Sequence, residues 1–185
     1  MTVHFYTATS LDGFIATSDH SLEWLFKQDF DQEGPMNYHE FIGGIGALVM
    51  GSSTYEWLRA AEEQWPYTQP VFVLSSRELV LPDAADVRLV RGKVDQLCGE
   101  ILEEASGADV WIVGGGDVAG QFADAGLLDE IWLQFAPVTL GSGQPLLPRN
   151  LDLELLEVTR NRAFVCAHYR VLRDKPSAPV SSVVA

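Results

Sequence analysis

Basic side chains are scarce in this sequence: 12 Lys and Arg stand against 26 Asp and Glu, a formal charge of −14 at pH 7. A nucleic-acid surface needs clustered Lys and Arg facing phosphates, so no nucleic-acid partner is expected. Cysteine is scarcer still, with only Cys98 and Cys166. They lie far apart without metal-ligand spacing, on a predicted helix and a predicted strand. That reads as two buried small hydrophobes in a reducing, cytoplasmic compartment. The four histidines His4, His20, His39 and His168 form no ligand pattern either, and no metal is expected. No apolar run approaches the roughly 20 residues that cross a bilayer. The opening "MTVHFYTATSLDG" lacks the basic region and long apolar segment of a secretory signal, so no membrane partner is expected.

What remains is an ordinary globular composition, 47% hydrophobic over 185 residues, enough for one domain with a sizeable core. Short apolar runs rich in β-branched and aromatic residues predict strands at 3–8, 47–50, 71–74, 87–90, 110–113, 131–135 and 163–172. Helical spacing falls between them, near 36–44, 54–64, 94–106 and 117–126. Leu97, Ile101 and Ala105 give the third of these one apolar face, opposite Glu100, Glu103 and Glu104. Strand–helix alternation implies an α/β fold with a largely parallel sheet covered on both faces. The last strands have no helix between them and predict an antiparallel edge. The domain is expected to span 1–173, with a poorly ordered tail over 174–185.

"VWIVGGGDVAGQF" (110–122) places three glycines between a strand and a helix. Either the backbone turns tightly there, or a pyrophosphate approaches it and meets the helix's free N–H groups. Gly114, Gly116 and Ala119 also fit the dinucleotide spacing G-x-G-x-x-[GA], but after the fifth strand rather than the first. Two further strand ends carry anion-compatible chemistry. "VFVLSSRE" ends on Ser75, Ser76 and Arg77, suited to a phosphate monoester, with Arg91 after the next strand as a second cation. "VMGSSTYEWL" sets Gly51 and the hydroxyls of Ser53 and Thr54 at a helix start. The long 17–36 connection, bearing Trp24 and Phe26, either covers a site or covers the sheet edge.

Together, "ATSLDGFIA", "VMGSSTYEWL", "VFVLSSRE" and "VWIVGGGDVAGQF" resemble the dihydrofolate reductase fold over residues 2–172. "IWLQFAPVTLGSGQPLLP" resembles the branch typified by the C-terminal reductase domain of the bifunctional riboflavin biosynthesis protein. The resemblance implies a three-layer fold and an NADPH-dependent reductase of a small polar heterocyclic or ribosylamino-pyrimidine-like substrate, paired as a homodimer. It implies that Val113, Gly114, Gly115, Gly116, Asp117 and Val118 hold the pyrophosphate, with Gly51, Ser53 and Thr54 opposite. Ser75, Ser76 and Arg77 would meet the 2′-phosphate, while Ala8, Ile15 and Ala16 would flank the nicotinamide. Asp12 of "SLDG" would act on the substrate, or serve simply as a turn residue. Trp24, Asn37 and Glu40 are the remaining substrate candidates. The sequence departs from the resemblance in two places: Ser52 stands where a basic residue is expected, and Asn37 stands near the place of the folate-binding carboxylate. Folate reduction is therefore not expected. No zinc-deaminase signature H-x-E…P-C-x-x-C is present. A stand-alone reductase of another metabolite, or a non-catalytic nucleotide-binding dimer, remain the alternatives.

Overall fold

The structure, a computed structural model, describes residues 1–62 and 64–173; the expected tail over 174–185 lies outside the described residues. Strand β1 (Val3–Thr9) runs up the middle of the sheet, and a turn leads to the short β2 (Phe14–Ala16). Helices α1 (Glu23–Phe26) and α2 (Tyr38–Ile42) precede β3 (Ile45–Gly51) and α3 (Ser52–Ala61). Then come β4 (Val71–Leu74), β5 (Val87–Val90), α4 (Val94–Glu104), β6 (Asp109–Gly114) and α5 (Gly116–Asp124). The chain finishes with β7 (Glu130–Phe135), β8 (Gln144–Pro145), β9 (Asp152–Asn161) and β10 (Phe164–Leu172).

The main sheet has eight strands in the order β5-β4-β3-β6-β1-β7-β10-β9. The pairs from β5 through to β7 are parallel, and β10 is antiparallel to both β7 and β9. This is the three-layer α/β architecture with an antiparallel finish that the sequence predicts. β2 and β8 pair separately as a small antiparallel ribbon.

Alternation along the central strands explains the two layers. Val3, Phe5, Ala47, Val49, Val110 and Ile112 face α4 and α5, where Ile101, Ala119 and Phe122 close one core. Tyr6, Leu48, Met50 and Trp111 face the other way, onto Tyr55 and Leu58 of α3 and partly buried Tyr38 and Phe41 of α2. Strands buried on both faces read as unbroken apolar runs, which is why they are visible in the sequence. Burying a side chain such as Phe122 or Leu48 contributes about 1.5–3 kcal/mol.

Helix α5 buries Val118, Ala119 and Phe122 on one stripe. It stops at Gly126 (φ 69), whose N–H donates to Ala123 O (2.9 Å) while Leu127 N–H reaches back to Phe122 O (2.8 Å). That pairing satisfies carbonyls the helix would otherwise leave open.

Four elements are absent from the sequence expectation: β2, α1, β8 and β9. The ten residues of β9 form a sheet edge, and nearly all of them are exposed; a register shift at Leu156 also interrupts the alternation of Leu153, Leu155 and Val158. α2 is also shorter than the predicted 36–44, because Asn37 caps it by accepting from Glu40 N–H (2.8 Å).

Candidate functional site

The carboxyl ends of β1, β3 and β6 open onto a cleft of about 410 Å³. Two helices begin on its floor. α3 starts at Ser52 after Gly51, and α5 starts at Gly116 after Gly115; no side chain caps either amino terminus. The first N–H groups of both helices have no intrahelical acceptor, and each macrodipole adds roughly half a positive charge. Asp117 is the one acid in the first turn of α5. Its carboxylate is engaged by Arg149 Nη2 (3.1 Å) and accepts from Gln121 Nε2 (3.0 Å), which mutes its opposition to a bound anion.

The three glycines of the bend differ in their surroundings. A Cβ on Gly114 would stand 3.0 Å from Thr54 Oγ1, whereas a Cβ on Gly115 would meet nothing within 4 Å. A Cβ on Gly116 would collide with the carbonyl oxygens of Pro145 and Leu146. Gly115 is therefore the open face of the bend, and Gly116 is the point where the 145–146 segment crosses α5.

Of the expected cofactor residues, the cleft gathers Ile15, Ala16, Gly51, Ser53, Thr54, Val113, Gly114, Gly115, Gly116, Asp117 and Val118. Ala8 lies beside lining residue Thr7 on β1. A broader hollow of about 930 Å³ continues from the cleft through His20, Leu22, Ser52, Ser53 and Trp57 to Arg77. Ser75 and Ser76 follow β4 at this same end, and Ser75 Oγ accepts from Arg77 N–H (3.0 Å). Arg91 follows β5 and pairs with Glu78.

The substrate candidates do not assemble with this set. Asp12 is a clasp: Oδ1 accepts from Ser10 Oγ (2.6 Å) and Leu140 N (3.0 Å), and Oδ2 from Gly141 N (2.7 Å). Those bonds, the Ser10 hydroxyl first, hold its carboxyl down at about 2. The arrangement matches the turn alternative for this residue. Trp24 is 5% exposed in a satellite core with Ala136, Phe164 and Cys166, so it covers the sheet rather than the cleft.

Asn37 and Glu40 line a separate hollow of about 460 Å³ toward the amino ends of β1, β3 and β6. On its floor Trp132 Nε1 donates to His4 Nδ1 (3.2 Å), leaving His4 Nε2–H for Asp109 (3.2 Å). Buried Tyr6 lines that hollow, and buried Gln134 lies beside it. Tyr6 OH donates to Met36 O (3.0 Å) and accepts from Gln134 Nε2 (2.6 Å).

Sequence reasoning missed His20, Leu22, Trp57, Gln144 and Pro145, all of which line the cleft. Trp57 alone left a trace: Tyr55 and Leu58 mark the buried stripe of α3, so an indole between them stands off it. The others arrive on connections whose path no periodicity encodes.

This combination of an eight-stranded mixed sheet, an antiparallel finish and a cleft at the parallel carboxyl ends is the dihydrofolate reductase-like fold. The chain belongs to the RibD C-terminal domain family, whose model matches residues 1–167. It is 30% identical over 141 residues to an uncharacterised Bacillus subtilis protein, YwjB, covering 76% of this chain and 79% of that one. A solved structure of a putative riboflavin biosynthesis protein from Shewanella sp. PV-4 superposes with a TM-score of 0.82 at 27% identity, over 94% of this chain and all (100%) of that one. The Thermotoga maritima diaminohydroxyphosphoribosylaminopyrimidine deaminase/5-amino-6-(5-phosphoribosylamino)uracil reductase shares the fold, with a TM-score of 0.67 at 15% identity. That match covers 92% of this chain and 56% of the longer protein.

Proposed function

We propose that this protein is an NADPH-dependent reductase that passes a hydride to a small polar heterocycle, with a ribosylamino-pyrimidine as the first substrate class to try. The carrying observation is the convergence of two helix amino termini, without side-chain caps, on one cleft beside the open Gly115. A dinucleotide's pyrophosphate suits such a place, because backbone N–H groups and dipoles favour negative charge there. Gly115, Gly116 and Asp117 would hold it from one side and Ser53 and Thr54 from the other. Ile15 and Ala16, with Ala8 behind them, would seat the nicotinamide, while Ser75, Ser76 and Arg77 would face the 2′-phosphate. The reduced nicotinamide supplies the hydride; the protein's own part is binding, orientation and exclusion of water. Trp57, with Phe26 stacked against it at 6.1 Å between ring centroids, gives the cleft an aromatic wall.

Titrating the purified chain into NADPH while following nicotinamide fluorescence tests the first step. Saturable binding below millimolar cofactor is expected, and absence of binding removes the proposal. Oxidation of NADPH on adding the pyrimidine then tests the substrate class. Asp12 is committed to the 140–141 backbone, which favours a second reading in which the hydride acceptor is another small metabolite or xenobiotic. We place the enzyme in the cytoplasm and infer a homodimer, supported by the apolar side chains that edge strand β9 exposes: Leu153, Leu155 and Val158.

A further inference from the structure

The corner beyond the cleft that would meet a 2′-phosphate is electrically occupied already. Arg77 Nη2 lies 2.7 Å from Glu56 Oε2, and Arg91 is paired with Glu78. Each guanidinium of the corner therefore has a carboxylate of its own, and the charges cancel. Ser52, at the start of α3, contributes no cation to the same hollow. A phosphate monoester brings nearly two negative charges at neutral pH. To reach Arg77 it must either displace Glu56 from Nη2 or bind the remaining guanidinium N–H groups beside that carboxylate. The pair is exposed, so displacement is easy in itself. The displaced carboxylate, however, stays anchored on α3, within the Debye length of about 8 Å over which charges still interact. The new contact with Arg77 is thus offset by repulsion from Glu56. A dinucleotide ending in a free 2′-hydroxyl meets neither effect.

Building on the dinucleotide reading of the cleft, we propose that Glu56 limits cofactor selectivity: by holding Arg77 it weakens recognition of the 2′-phosphate, so that the preference for NADPH over NADH stays within about tenfold. Three forms of the full chain, wild type, Glu56→Gln and Glu56→Gln/Arg77→Ala, are titrated with each cofactor by nicotinamide fluorescence, after thermal melts confirm that all three are folded. In the wild type the two dissociation constants are expected to agree within about tenfold. Glu56→Gln is expected to tighten NADPH about fivefold or more while moving NADH by less than about twofold, and Arg77→Ala is expected to abolish that gain. A wild-type preference beyond tenfold, a Glu56→Gln effect equal for both cofactors or absent, or a gain that survives Arg77→Ala overturns the inference while leaving the dinucleotide site standing. If neither cofactor binds any form, the site assignment fails and the selectivity inference fails with it.

Discussion

Gly114, Gly115 and Gly116 occupy one bend, yet a methyl group added to each finds different surroundings. At 116 it meets the backbone oxygens of Pro145 and Leu146, which belong to a crossing segment and cannot rotate aside. At 115 the backbone is extended (φ −84, ψ −176), a conformation any residue adopts, and the methyl projects into open cleft. The two substitutions should therefore separate stability from binding. Gly116→Ala is expected to cost about 1–3 kcal/mol in urea denaturation through overpacking. Gly115→Ala is expected to leave the urea midpoint unchanged and to weaken NADPH about tenfold, the loss of roughly one direct N–H contact. Equal effects in both assays would show that the bend is purely architectural. From the sequence, "GGG" announced a close approach; which glycine faced solvent and which faced chain depended on residues thirty positions later.

Among the elements, the turn after β1 and the segment after β7 are joined by Asp12, whose carboxylate accepts backbone N–H bonds from Leu140 and Gly141. Its folded pKa is depressed to about 2 from 3.8. A depressed carboxylate contributes stability that is fully present above its unfolded value of about 4 and is lost as pH falls through the folded value. The difference in urea midpoint between wild type and Asp12→Asn is thus expected to be constant from pH 7 to pH 5 and to shrink toward pH 2. A gap independent of pH would mean that the charge plays no part. Asp-Gly signalled a turn in the sequence, but its distant partners were not legible. The same is true of Asn161, 1% exposed, whose Nδ2 donates to Asp31 O (2.9 Å) and Pro35 O (3.2 Å) and so fixes the end of the 17–36 connection. The interior strands and α3, α4 and α5 were legible because burial on two faces, or on one stripe, leaves a pattern in the residues themselves. β9 was not, because a register shift at Leu156 breaks its apolar alternation and the strand lies uncovered at the sheet edge.

For the whole molecule, the free edge of the sheet is the unfinished surface. In register, Leu155 and Val158 of β9 share a face with Tyr169 and Ala167 of β10 and with Ile131 and Leu133 of β7, continuing the α5-side layer past its helices. Leu155 and Val158 are more than half exposed, at 55% and 59%. A second copy of the chain covering that strip is the proposed remedy. Sedimentation should give a dimer for the wild type and a monomer of unchanged circular dichroism for Leu155→Glu/Val158→Glu. A wild-type monomer would remove the proposed pairing.

The crossing of the 145–146 backbone over Gly116 also bears on biosynthesis. As residues 110–124 leave the ribosome and form strand and helix, the carbonyls that pack against the start of α5 have yet to emerge behind them, as has β7, a hydrogen-bonded neighbour of β1. The proposed pyrophosphate site is therefore a property of the finished polypeptide, and nascent or truncated forms should pass through translation without capturing a dinucleotide.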